Sequence, residues 1–145
     1  MLSIRTMAEA DIPKVAQLEK EIFPDPWSEK VYRETFALTG VEYIVAFDGD
    51  TLAGAAGVRN IVGTGEITNV MVKEGYRNRG LAGQIMKELL AAGRRIGASE
   101  FTLEVRKSNL PAIKLYENIG FVCEGVRPLY YRHPDEDALI YWLRS

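Results

Sequence analysis

The pattern of apolar positions divides the chain into predicted strands and helices. Strands are predicted where apolar and polar residues alternate, and helices where apolar residues recur every three or four positions. By this criterion, strands are predicted at residues 2–6, 41–48, 52–59, 64–73, 101–105, 121–127 and 138–143. Helices are predicted from about residue 11 to 22, from 28 to 38, from 82 to 96 and from 109 to 118. The predicted order is strand, two helices, three strands, helix, strand, helix, two strands.

Turn and cap residues fix the ends of these elements. Prolines in residues 23–27 force a loop between the first two helices, and Ser28 can cap the second one. Asp48-Gly49-Asp50 predicts a hairpin. Asn109 can cap the last helix, and Gly120 is expected to end it.

This order predicts an α/β (α+β) sandwich. It would contain a mixed, mostly antiparallel sheet of about seven strands flanked by about four helices, with a parallel crossover at the third helix. The chain has 145 residues, of which 47% are hydrophobic. This length suits one compact domain, residues 1–145, and leaves no room for a second domain of ordinary size.

The chemistry is concentrated in the loop Arg77-Asn78-Arg79-Gly80-Leu81-Ala82-Gly83, between a strand and the strongest amphipathic helix. Glycines at the mouth of a helix let several backbone N–H groups approach one ligand, and the helix dipole favours negative charge there. Two arginines in the turn favour a polyphosphate over a plain turn. The spacing fits neither the loop of nucleotide hydrolases nor that of dinucleotide-binding proteins.

Composition excludes several classes of function. A net charge of −2 argues against a nucleic-acid binder. No apolar run approaches the roughly 18 residues needed to cross a membrane. The single cysteine, Cys123, suits a reducing cytoplasm and is interpreted as a small buried hydrophobe, and with one histidine, His133, it cannot form a typical zinc site. No metal is expected, and a Cys–His nucleophilic pair is disfavoured.

The glycine loop matches the pattern Arg/Gln-x-x-Gly-x-Gly/Ala and resembles the acetyl-coenzyme-A loop of the GCN5-related N-acetyltransferase (GNAT) family. The second half of the chain agrees with this resemblance at the family's spacing: Leu103-Glu104-Val105-Arg106, Ser108-Asn109, Ala112-Ile113, Leu115-Tyr116-Glu117 and Gly120-Phe121. Three further stretches resemble RimI-type ribosomal-protein alanine N-acetyltransferases: Phe23 to Lys30, Asn69 to Val72 and Tyr130-Tyr131. Pro128-Leu129 departs from the better-known members.

The resemblance implies roles for individual residues. Glu104 would be the general base and Tyr116 the general acid that protonates the departing thiolate. Without the resemblance, these residues would be read as a solvated strand carboxylate and a core tyrosine. The residues expected to bind acetyl-CoA are Val70, Met71, Val72, Arg77, Asn78, Arg79, Gly80, Leu81, Ala82, Gly83 and Asn109.

The acceptor would lie between two aromatic loops, one holding Phe23 and Trp27 and the other Tyr130 and Tyr131. The family resemblance implies acetyl-CoA-dependent transfer to a protein N-terminus, with a small-subunit ribosomal protein as the expected substrate. Small-molecule amines, lysine side chains and a non-catalytic acyl-CoA-binding module remain as alternatives. Nearby carboxylates, Asp25, Glu29 and Asp135, would favour a basic peptide.

Overall fold

A seven-stranded mixed sheet with four α-helices forms the part of the chain that the computed structural model describes, residues 2–144. The strand order is β1-β2-β3-β4-β5-β7-β6. The strands are β1 (Leu2–Thr6), β2 (Val41–Asp48), β3 (Thr51–Ile61), β4 (Thr64–Val72), β5 (Glu100–Arg106), β6 (Val122–Tyr131) and β7 (Glu136–Arg144). The helices are α1 (Ile12–Ile22), α2 (Glu29–Phe36), α3 (Leu81–Arg95) and α4 (Leu110–Ile119), and a short 3₁₀ turn (Glu9–Asp11) precedes α1.

The pairing of β4 with β5 differs from the rest of the sheet. Neighbouring strands pair antiparallel elsewhere, whereas β4 and β5 are parallel and joined through α3. Their register runs from Thr64↔Glu100 to Glu66↔Thr102. Beyond these residues the two strands diverge and leave a gap in the middle of the sheet.

A β-bulge lies where β4 leaves β5. Gly57 of β3 pairs with Thr68 and Ala55 pairs with Met71, so two residues of β4 face one residue of β3. Within the bulge, Asn69 has φ of 57°, in the left-handed region that asparagine tolerates better than most residues. A bulge redirects side chains, and here the Asn69 side chain reaches α1.

The central strands of the sheet are buried on both faces. In β2, Ile44 and Ala46 pack in a core with α3 and α4, whereas Tyr43, Val45 and Phe47 pack in a second core with α1 and α2. This alternation is what the two-residue period of a strand produces when helices cover both sides.

The structure confirms the predicted element order and most of the local signals. Ser28 Oγ accepts a hydrogen bond from the Val31 N–H (3.2 Å), and Asn109 Oδ1 accepts one from the Ala112 N–H (3.3 Å). Gly120 ends α4 with φ of 121°. None of the helices in residues 2–144 is long and apolar enough to cross a bilayer.

Two predictions at the end of the chain were wrong. Tyr130 and Tyr131 are the last residues of β6 and do not belong to a loop, because a second register shift, between Arg127 and Tyr131, lets the strand continue past Pro128. Cys123 is exposed and not buried. It lies on β6, which is an edge strand with little cover.

Candidate functional site

The gap between β4 and β5 opens into a cleft of about 910 Å³. Glu66 to Val70 of β4 line one side and Thr102 to Arg106 of β5 the other. The α1–α2 loop and the end of β6 form the outer walls, and α4 contributes Tyr116. The cleft therefore follows from the short parallel pairing described above.

Glu104 extends into this cleft from β5. Its neighbours Leu103 and Val105 are buried in the core, so Glu104 lies on the opposite face of the strand, as its alternation predicted. The side chain is 28% exposed, and its Oε2 lies 3.3 Å from the Arg127 Nε. That oxygen is itself buried and has no hydrogen bond among the residues that the structure describes.

Arg127 was not identified from the sequence. It belongs to β6, two strands away from β5, and its guanidinium also stacks over the Tyr130 ring at 5.0 Å. A contact that spans an intervening strand leaves no signal in local sequence spacing. In the structure, Arg127 is the cation that faces Glu104, so an incoming amine would compete with it for the carboxylate.

Tyr116 enters the cleft from α4. The side chain is 5% exposed, and its ring lies 5.9 Å from that of Phe121. Burial raises the pKa of Tyr116 well above the usual 10, with a smaller contribution from Tyr131. In the described part of the chain the hydroxyl makes no hydrogen bond to protein, although Tyr116 lines the cleft. The structure thus places a phenol without an internal hydrogen-bond partner at the edge of the cleft, and the raised pKa keeps its hydroxyl protonated near pH 7.

Aromatic residues form the outer walls. Phe23 and Trp27 lie on one wall, and Tyr130 and Tyr131, whose rings meet edge to face at 5.1 Å, on the other. Burial and the nearby Glu104 carboxylate raise the pKa of Tyr131 to about 12.

The carboxylates that were expected to attract a basic peptide lie beside basic side chains. Asp25 lines the cleft, and its Oδ2 lies 3.1 Å from the His133 Nδ1 across the two walls. Glu29 pairs with Arg33 on α2, and Asp135 with Arg132. Two of the three carboxylates expected to favour a basic acceptor, Glu29 and Asp135, are therefore each paired with an arginine.

Glu19 and Asn69 form a polar contact at the floor of the cleft that the sequence analysis missed. Glu19 is 2% exposed and accepts hydrogen bonds from the Trp27 N–H, the Tyr32 hydroxyl and the Asn69 Nδ2, the last at 2.8 Å. Its position offered a signal: Glu19 comes four residues after Val15, within the apolar stripe of α1. A carboxylate on such a stripe indicates a buried partner.

The glycine loop provides free donors at the start of α3. Within residues 2–144, the backbone N–H groups of residues 80–83 have no hydrogen-bond partner, and the Gln84 N–H is the first to bond back, to the Gly80 carbonyl (3.2 Å). Gly80 has φ of 76°, and a Cβ added there would meet nothing within 4 Å. The Arg79 guanidinium lies over the Tyr76 ring (5.4 Å). Unpaired amides at a helix start fit a phosphate or pyrophosphate.

The structure brings eight of the predicted site residues into one cleft. They are Glu104, Tyr116, Val70, Asn109, Phe23, Trp27, Tyr130 and Tyr131. Met71 instead packs in the core, and the Val72 carbonyl accepts a hydrogen bond from the Arg77 Nε (3.0 Å). The loop residues Arg77, Asn78, Arg79, Gly80, Leu81, Ala82 and Gly83 lie at the start of α3. Gly83 is close to Leu115 (3.7 Å for an added Cβ), the residue before Tyr116.

Comparisons with known proteins agree with this geometry. Residues 12–121 match the family model described as "Acetyltransferase (GNAT) family". The chain is 32% identical over 143 residues to the N-alpha-acetyltransferase RimI of Mycobacterium tuberculosis, covering 94% of this chain and 89% of that protein. It is 29% identical over 142 residues to the [ribosomal protein bS18]-alanine N-acetyltransferase of Escherichia coli strain K12, covering 97% and 95%.

Solved structures share the fold. The crystal structure of the Escherichia coli ribosomal-protein-alanine N-acetyltransferase superposes with a TM-score of 0.89 at 28% identity, over 99% of this chain and 93% of that one. Arabidopsis thaliana NAA60, solved with acetyl-CoA, superposes with a TM-score of 0.88 over 98% and 97%, and at 19% identity it supports the fold alone. The cleft, the amide-rich loop and the match over residues 12–121 lead to one conclusion: the chain belongs to the GNAT family of acetyltransferases.

Proposed function

We propose that this protein, as one N-acetyltransferase domain over residues 1–145, transfers the acetyl group of acetyl-CoA to the N-terminal amine of a protein. The observation that carries the proposal is the convergence of Glu104, from β5, and Tyr116, from α4, on the gap where β4 leaves β5. A carboxylate and a protonated phenol in one cleft are a suitable base and acid for acyl transfer to an amine. A non-catalytic acyl-CoA-binding module would need neither.

Glu104 acts as the general base in this scheme. An α-amino group has a pKa near ~7.7–8.0, so a good fraction is already neutral near pH 7. Glu104 therefore needs to take only one proton, directly or through a water, as the nitrogen attacks the acetyl carbonyl. Arg127, 3.3 Å from the carboxylate, occupies the place of a cationic amine before the acceptor enters.

Tyr116 returns a proton to the leaving sulfur. Burial raises its pKa, which keeps the hydroxyl protonated over the physiological range. Since the hydroxyl has no hydrogen-bond partner in the part of the chain that the structure describes, its proton is available to a group entering the cleft. The carbonyl–sulfur bond breaks, and the thiolate receives the proton that Tyr116 donates.

The free amides of residues 80–83 fit the pyrophosphate of acetyl-CoA, which supplies the activated acetyl group when bound. Arg77 and Arg79 add positive charge at the same loop, and Asn78 and Gly80 have the left-handed backbone that turns it. The residues of β4 beyond its pairing with β5, Val70 to Val72, would direct peptide groups toward the rest of the coenzyme, and Asn109 would bond its arm. The match to the acetyltransferase family over residues 12–121 supports this assignment.

The N-terminal alanine of a small-subunit ribosomal protein is the acceptor that we propose. The support comes from the Escherichia coli relative, which is named for that activity at 29% identity, and from the Mycobacterium tuberculosis relative, which is named an N-alpha-acetyltransferase. The aromatic walls around Trp27 and Tyr130 agree with a peptide acceptor. An extended peptide could lie between these walls with its amine at Glu104. We infer a cytoplasmic location, which a chain with one cysteine suits.

The test is acetyl transfer from labelled acetyl-CoA to four acceptors: a basic peptide that begins with alanine, the same peptide with a blocked N-terminus, a lysine-only peptide and a polyamine. We expect kcat/KM to be highest for the free alanine peptide and mass spectrometry to place the label on its α-amine. Preference for the polyamine or for lysine would refute the N-terminal acceptor. Glu104→Gln should lower kcat about 10²-fold or more with unchanged acetyl-CoA affinity, and a folded, fully active variant would refute its role.

A further inference from the structure

Glu19 lies outside the proton transfers described above, yet it connects three parts of the acceptor side. Its carboxylate is 2% exposed and accepts hydrogen bonds from the Trp27 N–H of the α1–α2 loop, the Tyr32 hydroxyl of α2 and the Asn69 Nδ2 of β4. A buried carboxylate needs such donors. These particular donors, however, come from the wall and the floor of the cleft.

The backbone conformation of Asn69 and the surroundings of its side-chain oxygen are energetically unfavourable. Asn69 has φ of 57°, and its Oδ1 is buried without a hydrogen-bond partner among residues 2–144. Because a carboxylate only accepts hydrogen bonds, Glu19 fixes the Asn69 amide with Nδ2 toward itself and leaves Oδ1 without a partner. Backbone strain and an unsatisfied oxygen in one cleft residue are typical of functional sites.

We propose that Glu19 is a positioning residue for the acceptor, an inference that rests on the proposed function. By bonding the Trp27 N–H and Asn69 at once, its carboxylate fixes the distance between the α1–α2 loop and the bulge of β4. That distance sets the width of the acceptor end of the cleft, between Trp27 and Asn69. In the described part of the chain, Glu19 makes no hydrogen bond to the glycine loop or to Val70–Val72, the residues assigned to the coenzyme, so coenzyme binding is expected to be independent of it.

Two variants separate positioning from stability. Glu19→Gln keeps the shape but turns an amide N–H₂ toward one of the three donors, so at least one hydrogen bond is lost. Asn69→Gly removes the bond to Glu19, but glycine relieves the left-handed φ and the unpaired oxygen is gone. We expect both variants to raise KM for the alanine peptide about tenfold, the effect of losing one charge-assisted hydrogen bond. Calorimetry should give an unchanged Kd for acetyl-CoA, and Asn69→Gly should keep the wild-type Tm within a few degrees.

The matched control is Asp11→Asn, which changes the other carboxylate that is buried among residues 2–144. Asp11 bonds Arg5 and the Ala8 N–H at the start of α1, away from the cleft. This variant should lower Tm and leave both the KM for the alanine peptide and the Kd for acetyl-CoA unchanged. A rise in acceptor KM equal to that of Glu19→Gln would overturn the proposal.

The remaining outcomes are equally decisive. The proposal is overturned if folded Asn69→Gly has the wild-type KM for the acceptor. It is also overturned if Glu19→Gln and Asn69→Gly weaken acetyl-CoA binding as much as they raise the acceptor KM, because that would indicate a general structural role. If Glu19→Gln does not fold, Asn69→Gly decides alone. A wild-type protein that acetylates none of the peptides refutes the proposed function itself. If the wild-type protein acetylates the alanine peptide and the Glu19 and Asn69 variants have an unchanged KM for it, only the positioning role is refuted.

Discussion

Replacing Tyr116 by phenylalanine tests whether its hydroxyl serves catalysis or folding. In the described residues this hydroxyl makes no hydrogen bond, so Tyr116→Phe removes no internal contact and should change the free energy of unfolding by less than about 0.5 kcal/mol. If the hydroxyl protonates the leaving thiolate, kcat should nevertheless fall on the order of 10²-fold, with the Kd of acetyl-CoA unchanged.

Tyr141→Phe is the matched control. The Tyr141 hydroxyl donates to the Glu117 carboxylate at 2.8 Å, and the tyrosine itself is buried. Losing this hydrogen bond should cost about 1 kcal/mol of stability, which lowers Tm by about 3 °C in a domain of this size. Its kcat should equal that of the wild type. Tyr116→Phe should therefore lose turnover and keep its stability, whereas Tyr141→Phe should lose stability and keep its turnover.

Thermal melts and single-turnover rates at about pH 7 and about pH 9 give both readouts. Because burial raises the pKa of Tyr116 above its usual range, the hydroxyl stays protonated at both pH values. The ratio of wild-type to Tyr116→Phe turnover should then be the same at both. The reasoning is refuted if the variant keeps wild-type turnover, or if it loses as much stability as Tyr141→Phe.

Two other predictions concern the coenzyme loop and the acid limit of stability. Gly80→Ala and Gly49→Ala both place a side chain at positive φ with nothing within 4 Å, so each should cost about 1 kcal/mol of stability. Only Gly80→Ala should weaken acetyl-CoA binding, by about tenfold or more in calorimetry. Equal affinities would contradict the loop assignment. The Arg5 guanidinium lowers the pKa of Asp11, so the stability that this pair contributes is present above about pH 4 and is lost as pH falls through the lowered pKa. Tm measured from about pH 7 to about pH 2 should fall less steeply in Asp11→Asn than in the wild type, and parallel curves would contradict this.

Local signals predicted most of the fold because they act between near neighbours. The Ser28 and Asn109 caps, the hairpin at Gly49 and the apolar stripe of α3 each depend on residues within one or two turns of each other. The family resemblance supplied Glu104 and Tyr116, and the structure places both in one cleft.

Contacts between distant residues were not predictable. Glu19 bonds Asn69 across 50 positions of sequence, and Glu104 meets Arg127 across an intervening strand. The continuation of β6 through Tyr130 depends on a register shift against β7 that turn propensities do not reveal. Each of these features exists only once the sheet has formed, so spacing along the chain does not identify the partners, although the position of Glu19 in the apolar stripe of α1 indicates that it has one.

The short parallel ladder between β4 and β5 has a mechanical consequence. It divides the sheet into a half made of β1 to β4 and a half made of β5 to β7, joined in the ladder by Thr64–Glu66 and Glu100–Thr102. A ligand that bonds β4 on one side and α4 on the other would couple the two halves, because it adds hydrogen bonds where the two strands do not pair. Acetyl-CoA should therefore slow the exchange of amide hydrogens in β5 and β7 by a larger factor than in β2, which lies far from the β4–β5 pairing.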